Sequence, residues 1–144
     1  MSIIADTSFI IAHMNHRDSH HRVCLALYQN YRASILVPQS VLAEVGYFLR
    51  QAGGNRFLAS FLRRLTEMKY DIIPLADADL SRTADLLDQY HDSRLDFVDA
   101  SIVAVAERLR STRILTLDQR DFRLVRPRQH QHRGLDAQRE RDVL

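Results

Sequence analysis

Apolar residues fall along this chain in two rhythms. Short unbroken apolar runs alternate with longer stretches in which apolar residues recur every three or four positions. The short runs predict strands at residues 2–5, at 34–37, within "YDIIPL" where Pro74 stops it, and at 113–117, with "RLVRP" offering a last short one. The periodic stretches predict helices: one beginning near Ser8, "SHHRVCLALYQNYR" from Ser19, and one from Pro38 through Arg50 that Gly53 and Gly54 end. Three more follow: "NRFLASFLRRLTEMK", "DADLSRTADLLDQYHD" and the strongly apolar "LDFVDASIVAVAERL". Short, uniformly apolar strands alternating with helices imply an α/β domain: a short, mostly parallel central sheet covered by helices on both faces. That domain is expected over residues 1–128. Residues 129–144, "QHQHRGLDAQRERDVL", have little apolar content and no clear period, and read as a polar, arginine-bearing C-terminal tail.

With 144 residues, 46% hydrophobic and 26% charged, the chain suits one globular domain with a real core. No apolar run approaches a membrane span, and "MSIIADTSFII" is interrupted by Asp6 and lacks a basic leader, so no membrane association is expected. A single cysteine makes no internal disulfide, and a reducing cytoplasm is the expected location. The formal net charge of +2 excludes a polycation. Lys69 is the only lysine, so nearly all cations are arginines, suited to two-pronged contacts with phosphate or carboxylate. A compositional bias alone would produce the same excess.

The acids change the picture. In an open α/β sheet, ligands gather at the carboxyl ends of strands, where strand order switches. Asp6 and Asp118 each follow a predicted strand; Glu44 lies early in the helix after the second; Asp96 and Asp99 stand at the head of the apolar helix, on one face. Each has a plain alternative. Asp6 can cap the helix near Ser8, "DFVD" can cap the next, and "DQRD" can be a turn. Glu44 is hardest to dismiss, because Val41, Leu42, Val45 and Phe48 surround it and no nearby basic residue offers a partner. Two like charges ~4 Å apart repel by about 4 kcal/mol at an effective dielectric of ~20, so several such acids need a cation. Hard carboxylate oxygens select Mg²⁺ or Mn²⁺, ions that accept phosphate oxygens and activate water toward a phosphodiester.

"IIADTSFIIA", "LVPQSVLAEVGYFL", "LDFVDASIVAVAERL" and "ILTLDQRDF" resemble, in order and spacing, the four acidic motifs of PIN-domain ribonucleases, most closely the VapC toxins of bacterial toxin–antitoxin pairs. The resemblance runs to about Pro127. It implies a Mg²⁺- or Mn²⁺-dependent endoribonuclease with Asp6, Glu44, Asp99 and Asp118 as its catalytic, metal-binding quartet. Asp96 matches a frequent accessory acid, Ser8 a hydroxyl that orders the site, and Thr116 the threonine of "TLD"; Asp121 is a less constrained accessory. The family further implies an RNA substrate, a homodimer and a small cognate antitoxin. Arg120 and Arg123, just after Asp118, are the cations best placed in sequence to hold RNA phosphates.

Other residues read as unreactive. His16 and His20 have zinc-like spacing but no third ligand in view. Cys24 sits on an apolar face with Leu27, and "QAGGN" lacks the strand context and ending of a phosphate loop. Phe48, Phe57, Phe61 and Leu65 fall at helical spacing, as core or dimer contacts would. Three alternatives remain open. A non-catalytic acidic interaction module would bind a basic partner without cutting. A receiver-like signalling domain would need a lysine near the last strands. A dehalogenase-type phosphatase would need an Asp where Ser8 stands.

Overall fold

The computed structural model describes residues 2–117. Its order is β1 (Ile3–Ala5), α1 (Thr7–Met14), α2 (His21–Tyr31), β2 (Ile35–Pro38), α3 (Gln39–Glu67), β3 (Asp71–Ile73), α4 (Asp77–Gln89), α5 (Phe97–Arg108) and β4 (Ile114–Leu115). All four strands are parallel, in the order β3-β2-β1-β4. The expected "mostly parallel" sheet is therefore wholly parallel among the described residues. β1 and β4 are shorter than expected, β4 having only two residues, while β2 keeps four residues shifted by one. The possible strand "RLVRP" and the tail at 129–144 lie outside the described residues.

The chain steps from β1 to β2 to β3 in one direction, then crosses back to lay β4 on the other side of β1. The switch point is thus the crevice between β1 and β4, where Asp6 leaves one strand and Thr116 the other. Parallel connections take the right-handed crossover, so reversing direction along the sheet sends the helices of the last connection to the opposite face. The central strand β1 is wholly buried, as is Val37 in β2. At the edge, Asp71 and Ile72 of β3 are exposed, because no strand pairs beyond them.

Gly53 and Gly54 do interrupt a helix, though the chain resumes helical structure at once. α3 is two helices joined at Gly54, whose φ of 72° suits a residue without a Cβ. The apolar helix α5 has a simple explanation. Residues 100–106 are all buried, since α5 packs against α3 and β2 on one side and α4 on the other. Leu86 of α4 joins Leu95, Ala100 and Val103 in a small core of its own, while Ile102, Val105 and Ala106 belong to the main one.

Two ion pairs lock α4 to α5. Arg108 grips Asp79 with Nε at 2.8 Å and Nη2 at 2.9 Å, and Arg82 grips Glu107 with Nε at 2.8 Å and Nη2 at 3.1 Å. Asp79 also accepts the Ala76 N–H at 2.8 Å and so caps α4. The two partners in the first pair are unequal: the Asp79 side chain is 1% exposed and that of Arg108 is 34% exposed. Arg108→Ala strands a buried carboxylate and should cost on the order of 3 kcal/mol. Asp79→Ala frees a guanidinium that can turn to water and should cost less, about 1–2 kcal/mol including the lost cap. Urea midpoints of the two variants check this; equal losses, or the reverse order, would contradict it.

Candidate active site

Asp6 ends β1 and caps α1. Its φ/ψ of −89°/164° is extended, so its carboxylate turns back over the first turn and accepts the Thr7 N–H. The other oxygen accepts the hydroxyls of Ser8, at 3.2 Å, and Thr116. The capping alternative is therefore correct for Asp6, and incomplete, because a cap does not require a hydroxyl from the neighbouring strand. Burial pushes the Asp6 carboxyl above the ordinary carboxylate range; the Thr116, Thr7 and Ser8 hydrogen bonds oppose the rise, and the charge of Glu44 adds to it.

Ser8 spans the switch point. Its Oγ donates to Asp6, lies 3.3 Å from Thr116 Oγ1 and accepts the Leu117 N–H at 2.9 Å. The Asp6 N–H in turn donates to Leu115 O at 3.0 Å. The exits of β1 and β4 are thereby tied together, and the backbone is held up to the residue preceding Asp118. Asp118, Arg120, Asp121 and Arg123 themselves lie outside the described residues.

Asp96 and Asp99 divide the work at the head of α5. Asp96 is the cap, extended and exposed, accepting the Asp99 N–H at 2.9 Å. Asp99 is the third residue of the helix and half-buried. Its carboxyl is pushed up to about 8, first by burial, then by the charge of Asp96, a hydrogen bond to Asp96 and the charge of Asp6, against the lowering effect of a backbone hydrogen bond. Glu44, in the second turn of α3, is half-buried and acts on Asp6. The sequence pointed to Glu44 as the costly charge because its neighbours are apolar. In the structure Glu44 sits half-buried, at the border of the helix's buried face.

Asp6 is thus the shared neighbour, coupled to Glu44 on one side and Asp99 on the other. Among the described residues no group of three His, Cys, Asp or Glu closes around one ion position. The donor set nevertheless fits a hard divalent cation. A carboxylate has about four acceptor sites, and Asp6 uses three on Thr7, Ser8 and Thr116. One site remains, and the repulsion of Asp6 with Glu44 and Asp99 is of the kind a cation relieves.

The residues read as unreactive behave so. Cys24 is buried and its thiol is pushed up to about 11 by burial, with the charge of Asp18 adding. His20 lies 3.5 Å from Asp18 rather than in a metal cluster. Phe61 and Leu65 are core, whereas Phe48 is 46% exposed and its ring packs edge-on against Tyr47. Two features differ from what the sequence suggested: His13, which with His16, His20 and His21 reads as an exposed helix-start histidine, is buried, and a serine pair meets inside the protein. His13, buried against Phe9 and Tyr28 and hydrogen-bonded to Tyr70, has its pKa lowered to about 4, chiefly by burial. Ser40 and Ser101 meet at 2.6 Å inside the protein. A serine on an otherwise apolar helix face was the available signal for both members of that pair.

A family model described as the PIN domain matches residues 3–126. The chain is 28% identical over 125 residues to Ribonuclease VapC26 of Mycobacterium tuberculosis (strain ATCC 25618 / H37Rv), covering 87% of this chain and 93% of the relative. Its fold matches the crystal structure of Mycobacterium tuberculosis VapC20, described as a Sarcin-Ricin loop cleaving toxin, with a TM-score of 0.77 at 22% identity, over 88% of this chain and all of that one. It also matches VapBC2 from Rickettsia felis, solved bound to a DNA fragment from its promoter. There the TM-score is 0.67 at 19% identity, over 87% of this chain and 93% of that one.

A raised carboxyl has a stability signature. Between the ordinary Asp value near 4 and about 8, Asp99 is protonated when folded and ionised when unfolded, so folding takes up a proton and stability falls as pH rises. Asp99→Asn removes that dependence. Without divalent metal, the Tm of Asp99→Asn should match wild type near pH 4 and exceed it increasingly toward pH 8. A constant difference across that range would contradict the assignment.

Proposed function

The chain belongs to the PIN-domain family, and we propose that it is a divalent-metal-dependent endoribonuclease, the toxin of a toxin–antitoxin pair, working in the cytoplasm. The observation that carries this reading is the electrostatic link of Asp6 to both Glu44 and Asp99 at the β1/β4 switch point, with Asp6 raised by burial and by the charge of Glu44, and Asp99 by burial and by the charges of Asp96 and Asp6. Asp6, Glu44, Asp99 and Asp118 would hold Mg²⁺ or Mn²⁺. When bound, such an ion supplies an acidified water and charge stabilisation for hydrolysis of an RNA phosphodiester.

The chain's own residues do the rest. Ser8 and Thr116 orient Asp6 by hydrogen bonds that leave one of its acceptor sites open. Asp96 caps α5 and so sets the position of Asp99. The N-termini of α1 and α5 present their positive dipole ends to these acids and help retain the carboxylate form. Asp121 would assist beside Asp118. Arg120 and Arg123 would offset the acidic groove and hold phosphates on either side of the cut. The likeness to a VapBC assembly supports a cognate antitoxin as partner, and membership of the family implies a homodimer. No helix among the described residues is long and apolar enough to cross a membrane.

The alternatives fare worse. A receiver domain needs its lysine at the acidic end of the sheet, and Lys69 precedes β3, at the end remote from Asp6. The phosphatase would need an acid where Ser8 bonds Asp6, Thr116 and Leu117. A non-catalytic module would bind without cutting, which an assay decides. The purified protein should cleave single-stranded RNA with Mg²⁺ or Mn²⁺ and stop on chelation. Asp99→Ala should lower the rate by more than about 100-fold while keeping the fold. Wild-type cleavage by purified Asp99→Ala would refute the role of this acid; no cleavage by wild type with either metal would leave the binding module.

A further inference from the structure

Glu44 and Asp99 arrive on different helices, and something must set α3 against α5. The apolar packing of the two helices, which place Val41 and Ile102 in the same main core, is strong but non-directional and permits small slides and rotations. One directional link joins the two helices close to the acids. Ser40 Oγ lies 2.6 Å from Ser101 Oγ, and Ser101 Oγ donates to Val98 O at 2.7 Å. Ser101 is wholly buried and Ser40 is 8% exposed. A hydroxyl has one proton, and that of Ser101 is committed to Val98, so Ser40 is the donor in the pair. The result is a directed chain from the Ser40 hydroxyl through Ser101 to the Val98 carbonyl. Its ends are telling. Ser40 lies four residues before Glu44, one turn away on the same face of α3. Val98 immediately precedes Asp99.

We propose that Ser40 and Ser101 are positioning residues for the metal site, a buried hydroxyl relay that fixes the register of α3 on α5 and hence the placement of Glu44 relative to Asp99. The inference rests on the functional reading above, in which those two acids share a cation. Neither serine touches the ion or the substrate in this account; both act through the helices they join.

The relay allows stability and positioning to be separated. Ser40→Ala leaves the Ser101 proton on Val98 and removes only a donor. Ser101→Ala leaves the Ser40 proton buried without an acceptor and is the more destabilising single change. Replacing both removes donor and acceptor together and should restore the denaturation midpoint close to wild type. Positioning is not restored. Calorimetric titration of the full-length protein with Mn²⁺ alone should show about tenfold weaker affinity in Ser40→Ala/Ser101→Ala than in wild type, with a matching rise in the Mn²⁺ needed for half-maximal RNA cleavage and little change in KM for RNA. Ser40→Thr, which keeps the hydroxyl, should keep wild-type affinity. If affinity returns to wild type in the double variant, or falls only in step with stability across the series, the pair is structural and the proposal is wrong. If wild type itself takes up no Mn²⁺ and cuts no RNA, the functional reading fails first and the proposal falls with it.

Discussion

Carboxylates brought together repel, and the architecture around this site follows from holding them there anyway. Asp6 is buried at the end of the central strand, Asp99 is half-buried at the head of the most buried helix, and the charge of Glu44 on α3 acts on Asp6. Each would be easier to accommodate in water. Their neighbourhood meets the cost locally: a backbone N–H and two hydroxyls on Asp6, a backbone hydrogen bond and a helix N-terminus at Asp99. These contacts do not cancel the burial, since both carboxyls stay raised. A protein that maintains such an arrangement has kept affinity for a cation in reserve.

Rigidity behind the site makes the strain sustainable. The β1 and β4 exits are tied by Ser8, by the Asp6 N–H and by Thr116. α5 is pressed between the sheet with α3 on one side and α4 on the other, and the Asp79–Arg108 and Arg82–Glu107 pairs fasten α4 to its far end. The acids lie at or near the starts of helices that each bury a face in the core. They cannot easily relax apart, which is what a site preorganised for a cation requires.

Much of this was legible in the chain. Asp6 after "IIA", Pro74 after "DII" and Gly54 before "NRF" each carry a local physical meaning that survives into three dimensions, as strand exit, strand stop and helix break. Three of the acidic motifs meet near the end of β1, where Asp6 lies within electrostatic reach of Glu44 and Asp99, because strand ends in a parallel sheet converge whatever the details of packing; Asp118 of the fourth lies outside the described residues. What was not legible depends on how helices meet. The meeting of Ser40 with Ser101, and of Asp79 with Arg108, joins residues 61 and 29 positions apart, and no periodicity encodes the partner. The surroundings of the acids have the same origin. Glu44 and Asp99 are both half-buried, and in each case elements far away in the chain set the burial, which no local pattern encodes.

The central claim is that the fold stores unfavourable carboxylate chemistry for a cation to release. Proton counting tests it most directly. At pH 7, Asp99 with its value near 8 carries a proton in the metal-free protein, and a divalent ion must expel it to bind. Calorimetric titration with Mn²⁺ at pH 7, in two buffers of widely different ionisation enthalpy, should give apparent binding enthalpies that differ by the buffer difference multiplied by about one proton released. The release should shrink toward pH 9, where the carboxyl is already ionised. Equal enthalpies in both buffers at pH 7, with Mn²⁺ bound, would contradict the account.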